Sequence, residues 1–395
     1  MSKPLSVSRE LNYLKALFFL FSFLIMSWVP RFPEVKANLG ISNGEFGSII
    51  SSSAVGGIIS LLTVGHLVHN YGAKPIMRIS AVSMAFSLIL LSTTQSSLVF
   101  LISNIIQAGA IAAFHICINA QGFNFQERTK GNVITLLSGF WSSGALVTAV
   151  VSGLLINRIS LQGHIIVLSL VILLAILYVI SAMNQHLLQP NFDVETDYKI
   201  SDIFRGFRID GLVSGALFCA VFLEFAVSDW AAIFVKEDIG IKSGLHTLPY
   251  ILFIFTMIIG RLSVHFLFSR FSIQSLMKIG STVSGISFLL GILATRVVAP
   301  ESKTLLIVIL SISFTIAGLG SSFLVPSVMN IANSRSSSPA SVVIGQIGVI
   351  NNIAIFIMRL IIAWTAQAFS LSVALIIPAL LILTVPYFSK IFKRD

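Results

Sequence analysis

Glu224 and Asp229 are the residues most able to do chemistry, because both interrupt a long apolar run, Gly211–Val235. A charged side chain at the centre of a membrane helix costs about 2.5–3.5 kcal/mol. Such a residue persists where it is paired or used. Counted from Gly211, Glu224 lies about 20 Å and Asp229 about 27 Å along a helix, and the two are turned about 140° from each other. A carboxyl that is neutral in one state and charged in another is what proton coupling requires. Glu224 is therefore the leading candidate for proton carriage or substrate binding. The competing reading is a structural carboxyl bonded between helices. Asp229 reads first as a gate or interface residue, with a direct part in substrate or proton binding as the second reading. Trp230 beside it can stack on a sugar ring or sit in an interfacial aromatic belt. Arg359 lies about 26 Å into the run that starts at Val342, a depth close to that of Asp229. A guanidinium there needs an acid or a carbonyl, so an Asp229–Arg359 pair is expected.

Other polar residues carry two readings each. His115 and Asn119 are four apart in another apolar run and share a face. The histidine can exchange a proton near neutral pH or serve as a buried hydrogen-bonding group. Asn119, Gln121, Asn351 and Asn352 can bind hydroxyl groups or hold helices together. Arg31, Glu34, Lys36 and Glu45 surround the first outside connection. They fit an outer gate, or a solvated loop in which Ser42 or Asn43 caps the next helix. Arg261, in the inner half of its run, is expected to stabilise the inward-closed state. Cys117 and Cys219 are single and lie in apolar runs, so no metal site or disulfide framework is implied. No Walker loop, HExxH or GxSxG is present. Neither an enzyme nor an ATP-driven pump is expected, and no cofactor beyond a coupling proton.

These residues must be positioned by membrane helices. The chain has 395 residues, 56% hydrophobic and 10% charged, where a soluble domain carries about 25% charged residues. Twelve apolar runs are long enough to cross a bilayer as helices. They include Tyr13–Trp28, Phe46–Leu67, Gly211–Val235, Leu248–Phe268 and Val342–Trp364. The runs are continuous and lack the alternation of barrel strands. The basic N-terminal stretch leads into the first run without a small-residue cleavage pattern, so it reads as a span and not a signal peptide. The formal charge of +10 is scattered singly between runs, unlike a nucleic-acid surface. With the N-terminus inside, sixteen of the 25 Lys and Arg residues fall in inside segments and seven outside. That bias places both termini in the cytoplasm.

One connection, Asn184 to Asp210, is long and polar, while the others are short. The expected organisation is a six-helix bundle over 1–190, a cytoplasmic linker over 191–208 and a second six-helix bundle over 209–395. Faint echoes relate the halves. Ala108-Gly109 in the fourth run matches Ala317-Gly318 in the tenth, and His66 and His69 after Gly65 match His265 after Gly260-Arg261.

The order of these features resembles the major facilitator superfamily. After the second run, Gly65, His69, Asn70, Gly72 and Lys74 stand where that family carries Gly-x-x-x-Asp-Arg-x-Gly-Arg-Arg. The glycines and a basic residue are kept and the acid is not. More locally the chain is similar to the MosC-like branch, near the fucose-permease-like carriers. That likeness rests on Arg31-x-Pro33, Ile118-Asn119-x-Gln121-Gly122, Gly139-Phe140-x-Ser142-x-Gly144, Glu224 with Asp229-Trp230, and Gly318-x-Gly320 with Pro326. The His115 position often carries an acid in those carriers. The resemblance implies an all-α protein of the major facilitator fold, a monomer in the bacterial inner membrane. It implies a secondary active transporter that takes a small polar, sugar-like solute by proton-coupled symport. Proton-coupled efflux of a drug or metabolite is the alternative, and a non-transporting sensor is a reading of another class. The fifth run lacks the glycine-proline motif that resembles antiporters, which favours symport.

Overall fold

The computed structural model describes residues 6–130, 133–183, 186–189, 211–268, 270–334 and 340–392. Among these are twelve helical segments long and apolar enough to cross a membrane. Serine opens several of them for a shared reason. Ser96, Ser160, Ser272 and Ser370 each accept a bond from the backbone N–H three residues on, which satisfies a donor that the first helical turn cannot. Inside lipid every other backbone group must be satisfied along the helix itself.

The chain divides into two compact units. One holds Met1–Gly40 and Ser52–Ile200, the other Ile41–Ser51 and Ser201–Asp395. The expected linker, 191–208, lies outside the described residues. The second span, Asn43–Tyr71, is split between the units at Ser52, where the helix Asn43–Ser51 stops and Ser53–Tyr71 begins. Ser51 bonds back to the Gly47 carbonyl at 2.6 Å, a contact that bends helices.

Within each unit, lipid supplies no hydrophobic drive between helices, so small residues and hydroxyls hold the spans together. In the first unit a Cβ at Gly56 would collide with the Ile105 carbonyl oxygen of the fourth span (Ser97–Thr129). One turn on, Ser60 donates to the Gly109 carbonyl at 2.7 Å. The second unit repeats the device. Gly318 lies against the Phe253 carbonyl, and Thr256 donates to the Thr315 carbonyl at 2.8 Å. The Ala-Gly echo read from the sequence is therefore a repeated helix–helix contact. Gly144 packs against Ser22 and the Phe19 carbonyl, whereas Gly57 and Gly139 meet nothing within 4 Å.

Candidate functional site

The seventh span, Gly211–Glu237, presents its two carboxyls to two different helices. This follows from the 140° between them. Asp229 faces the eleventh span, where Arg359 grips it through Nε to Oδ2 at 2.6 Å and Nη2 to Oδ1 at 3.0 Å. The side chains are 9% and 16% exposed, and the guanidinium also lies 4.9 Å from the Phe225 ring centre. This is the pair expected from matched depth. Its two-pronged geometry is the strong form of a carboxylate–guanidinium contact.

Trp230 packs against protein in this arrangement. It is 2% exposed, meets Phe46 edge-on at 6.2 Å, and presses on Gly47. A Cβ at Gly47 would also strike Ala363. Phe46, Gly47, Ile50, Asp229, Trp230 and Arg359 close on one another too tightly to leave room for water. Trp230 is thus a packing plug beside the ion pair. No ring of a solute can reach its face in this arrangement.

Glu224 is bonded between helices. Its Oε2 accepts from Arg261 Nη2 at 2.9 Å, and Arg261 Nε donates to the Ser322 carbonyl at 3.2 Å. Both side chains are 29% exposed. Arg261 therefore acts inside the unit, as the partner of the leading proton candidate. The same contact joins the seventh span to the eighth and, through Ser322, to the tenth.

The remaining candidates separate into packing groups and open ones. Gln121 is buried and clamps the chain after the sixth span: its amide donates to the His186 carbonyl at 2.5 Å and accepts from the Leu188 N–H at 2.9 Å. Asn119 bonds back to the His115 carbonyl of its own helix at 2.9 Å. His115 is exposed, its ring stacked on Phe21 at 6.0 Å. Asn351 is buried, and its side-chain oxygen has no partner among the described residues. Asn352, next to it, is half-buried.

Arg31 and Glu45 have structural work. Arg31 is 1% exposed; it holds Glu34 through two nitrogens and donates to the Ile159 and Ser160 carbonyls at 2.8 and 3.3 Å. That ties the end of the first span to the turn before the sixth. Glu45 forms a capping box with Ser42, accepting from its N–H and hydroxyl at 2.9 Å each while its own N–H donates to Ser42 Oγ at 3.3 Å.

Three polar features escape the sequence reading. Glu10, 1% exposed, binds both Arg128 and His186. Gln107 donates to the Leu24 carbonyl at 3.0 Å and accepts from Ser87. Tyr250 is buried with a hydroxyl that bonds to nothing among the described residues. Glu10 sits in a polar N-terminal stretch, where one more acid carries no signal. Gln107 interrupts an apolar run as Glu224 does, and that interruption was available to find it. No group of three metal-binding side chains occurs among the described residues.

Comparison with known proteins agrees with this architecture. The family model described as Major Facilitator Superfamily matches residues 15–358. The membrane protein MosC of Rhizobium meliloti is 22% identical over 321 residues, covering 81% of this chain and 74% of that protein. A mutant of the nucleoside transporter NupG superposes with a TM-score of 0.78 at 14% identity, covering 97% of this chain and all of that one. A D-xylose-proton symporter gives 0.72 at 15% identity, with 97% of each chain covered.

Proposed function

The chain belongs to the major facilitator superfamily, and from that premise we propose that this membrane transporter takes up a small polar, sugar-like solute together with a proton. The observation that carries the reading is the half-exposed Glu224–Arg261 bridge between the seventh and eighth spans. The Asp229–Arg359 pair, with side chains 9% and 16% exposed, is the less open of the two. Glu224, by contrast, keeps part of its surface open, so a proton or a hydroxyl can reach it.

Protonation supplies the coupling. A neutral Glu224 loses its charge attraction for Arg261, and the guanidinium donors become free to bind solute oxygens. The proton biases the transport cycle provided the two end states hold it with different affinity. The two halves then expose a central site alternately to each side, as expected for repeats of this kind. The names of similar proteins support the solute class: one structural neighbour is a nucleoside transporter and another a D-xylose-proton symporter. Orientation with both termini in the cytoplasm follows from the Lys and Arg bias.

The experiment is uptake into proteoliposomes under an inward proton gradient, screened over pentoses, hexoses, polyols and nucleosides. The wild type accumulates at least one of these, and Glu224→Gln does not. Accumulation retained undiminished by the variant removes Glu224 from the mechanism.

A further inference from the structure

Lys15 lies about 12 Å along the helix Val7–Met26 of the first span, counted from Val7. Its ammonium stands over the Phe140 ring, 5.4 Å from the ring centre. Phe140 is itself about 10 Å into the fifth span, Val133–Leu155. Both residues belong to the first unit. A lysine near a helix end ordinarily runs its ammonium out to the headgroups. Here the ring face attracts the cation and holds it within the span. Among the described residues Lys15 makes no ion pair and no hydrogen bond through its ammonium. In this it differs from Arg261 and Arg359, each of which meets a carboxylate. The acid nearest to it in sequence, Glu10, is taken by Arg128 and His186.

The surroundings are open and partly polar. Asn12 is exposed, and Lys15, Ala16 and Phe19 are half-buried. Their spacing puts all four on one face of the first span. Ser143, three residues beyond Phe140 and on the same side of the fifth span, is exposed. Lipid is a poor cover for such a face, because an unpaired ammonium against hydrocarbon is unfavourable. Ionisable groups inside spans turn instead to water-filled space. An ammonium there offers three N–H donors and one positive charge. The Phe140 ring supplies no lone pair, so those donors remain available to an anion.

We propose that Lys15 binds a carboxylate of the solute, so that the transporter prefers acidic sugars, such as uronates and aldonates, to their neutral parents. The inference rests on the proposed uptake of a sugar-like solute and adds its charge class. One ammonium matches the single charge of a carboxylate better than the near-double charge of a phosphate ester. The Ser143 hydroxyl donates to the Gly139 carbonyl and keeps its oxygen as an acceptor, while the Asn12 amide offers both kinds of group to solute hydroxyls. Proton coupling suits an anion. A lone anion entering against an inside-negative potential is opposed, and one accompanying proton cancels that opposition.

The test compares each acid with its neutral parent in proteoliposomes under an inward proton gradient. The probes are glucuronate, galacturonate and gluconate against glucose and galactose, with glucose 6-phosphate as a second anion. In the wild type at least one acid enters about tenfold or more faster than its parent, the worth of a hydrogen bond to a charged group. Glucuronamide, which has the same shape without the charge, competes about tenfold less well than glucuronate. Lys15→Gln brings the ratio of acid to parent close to one, and Lys15→Arg, which keeps the charge, retains a preference. Phe140→Leu releases the ammonium from its ring and lowers the same ratio; it decides the matter if Lys15→Gln does not elute as a single species. A parent that enters as fast as its acid, a ratio that the variants leave unchanged, or a preference for glucose 6-phosphate overturns the inference. Glu224-dependent uptake of a neutral sugar would then leave the proposed function standing. If neither an acid nor any neutral solute enters, both readings fall together.

Discussion

Replacing Asp229 by Asn should unfold the second unit far more readily than replacing Glu224 by Gln, although both acids lie on one helix and face one arginine each. Arg359 holds Asp229 by two contacts, at 2.6 and 3.0 Å, with side chains 9% and 16% exposed and no space for water beside them. Asn leaves one acceptor oxygen where there were two and takes the negative charge from a largely buried pair. Breaking a buried pair from one side costs about 3–5 kcal/mol. The Glu224–Arg261 side chains are 29% exposed, so water replaces much of what is lost, and the cost should be about 1 kcal/mol. At about 2–4 °C per kcal/mol for a domain of this size, the melting temperature falls by on the order of 10 °C for Asp229→Asn. For Glu224→Gln it falls by only a few degrees. Thermal unfolding of the purified protein in detergent, followed by tryptophan fluorescence at fixed pH, reads both. The double variant Asp229→Leu with Arg359→Leu should recover at least half of the loss, because an apolar pair leaves no stranded charge. Equal drops for the two single variants, or a double variant no better than Asp229→Asn, would refute this reasoning.

Other variants separate packing from transport. Gly56→Leu forces the second span away from the Ile105 carbonyl, and the protein should fail to elute as a monodisperse species. Arg31→Met strands Glu34 and two carbonyls; it should cost about 3 kcal/mol in thermal unfolding while leaving the relative uptake of different solutes unchanged. Glu45→Ala removes a solvent-facing helix cap and should leave uptake at the wild-type rate, whereas loss of transport in that variant would restore the gate reading.

Hydropathy and length alone make the twelve spans legible, because a membrane crossing is a local property of some 20 residues. Depth along the helix is also local, and it was enough to match Asp229 with Arg359. The Glu224–Arg261 pair was not legible in this way. Counted from Gly211 and from Phe268, the two residues lie about 20 and about 10 Å along their helices, and it is the reach of two long side chains that closes the offset. Trp230 and Gln121 show a second limit. A polar or aromatic side chain in an apolar run signals that it has a task, but the task is fixed by what stands opposite, here Phe46 and Gly47 for one and the 186–188 chain for the other. Tyr250 shows a third. Among so many hydrophobic neighbours a tyrosine reads as packing, and only the missing partner of its hydroxyl marks it out.

Proton movement with solute is the most direct test of the account. Solute identified by the uptake screen is added to lightly buffered proteoliposomes, with no imposed gradient, while a pH electrode records the outside medium. Symport through a titrating Glu224 alkalinises the medium on addition, and Glu224→Gln abolishes the signal. Solute entry with no change in external pH, or an alkalinisation that Glu224→Gln preserves, would contradict the account.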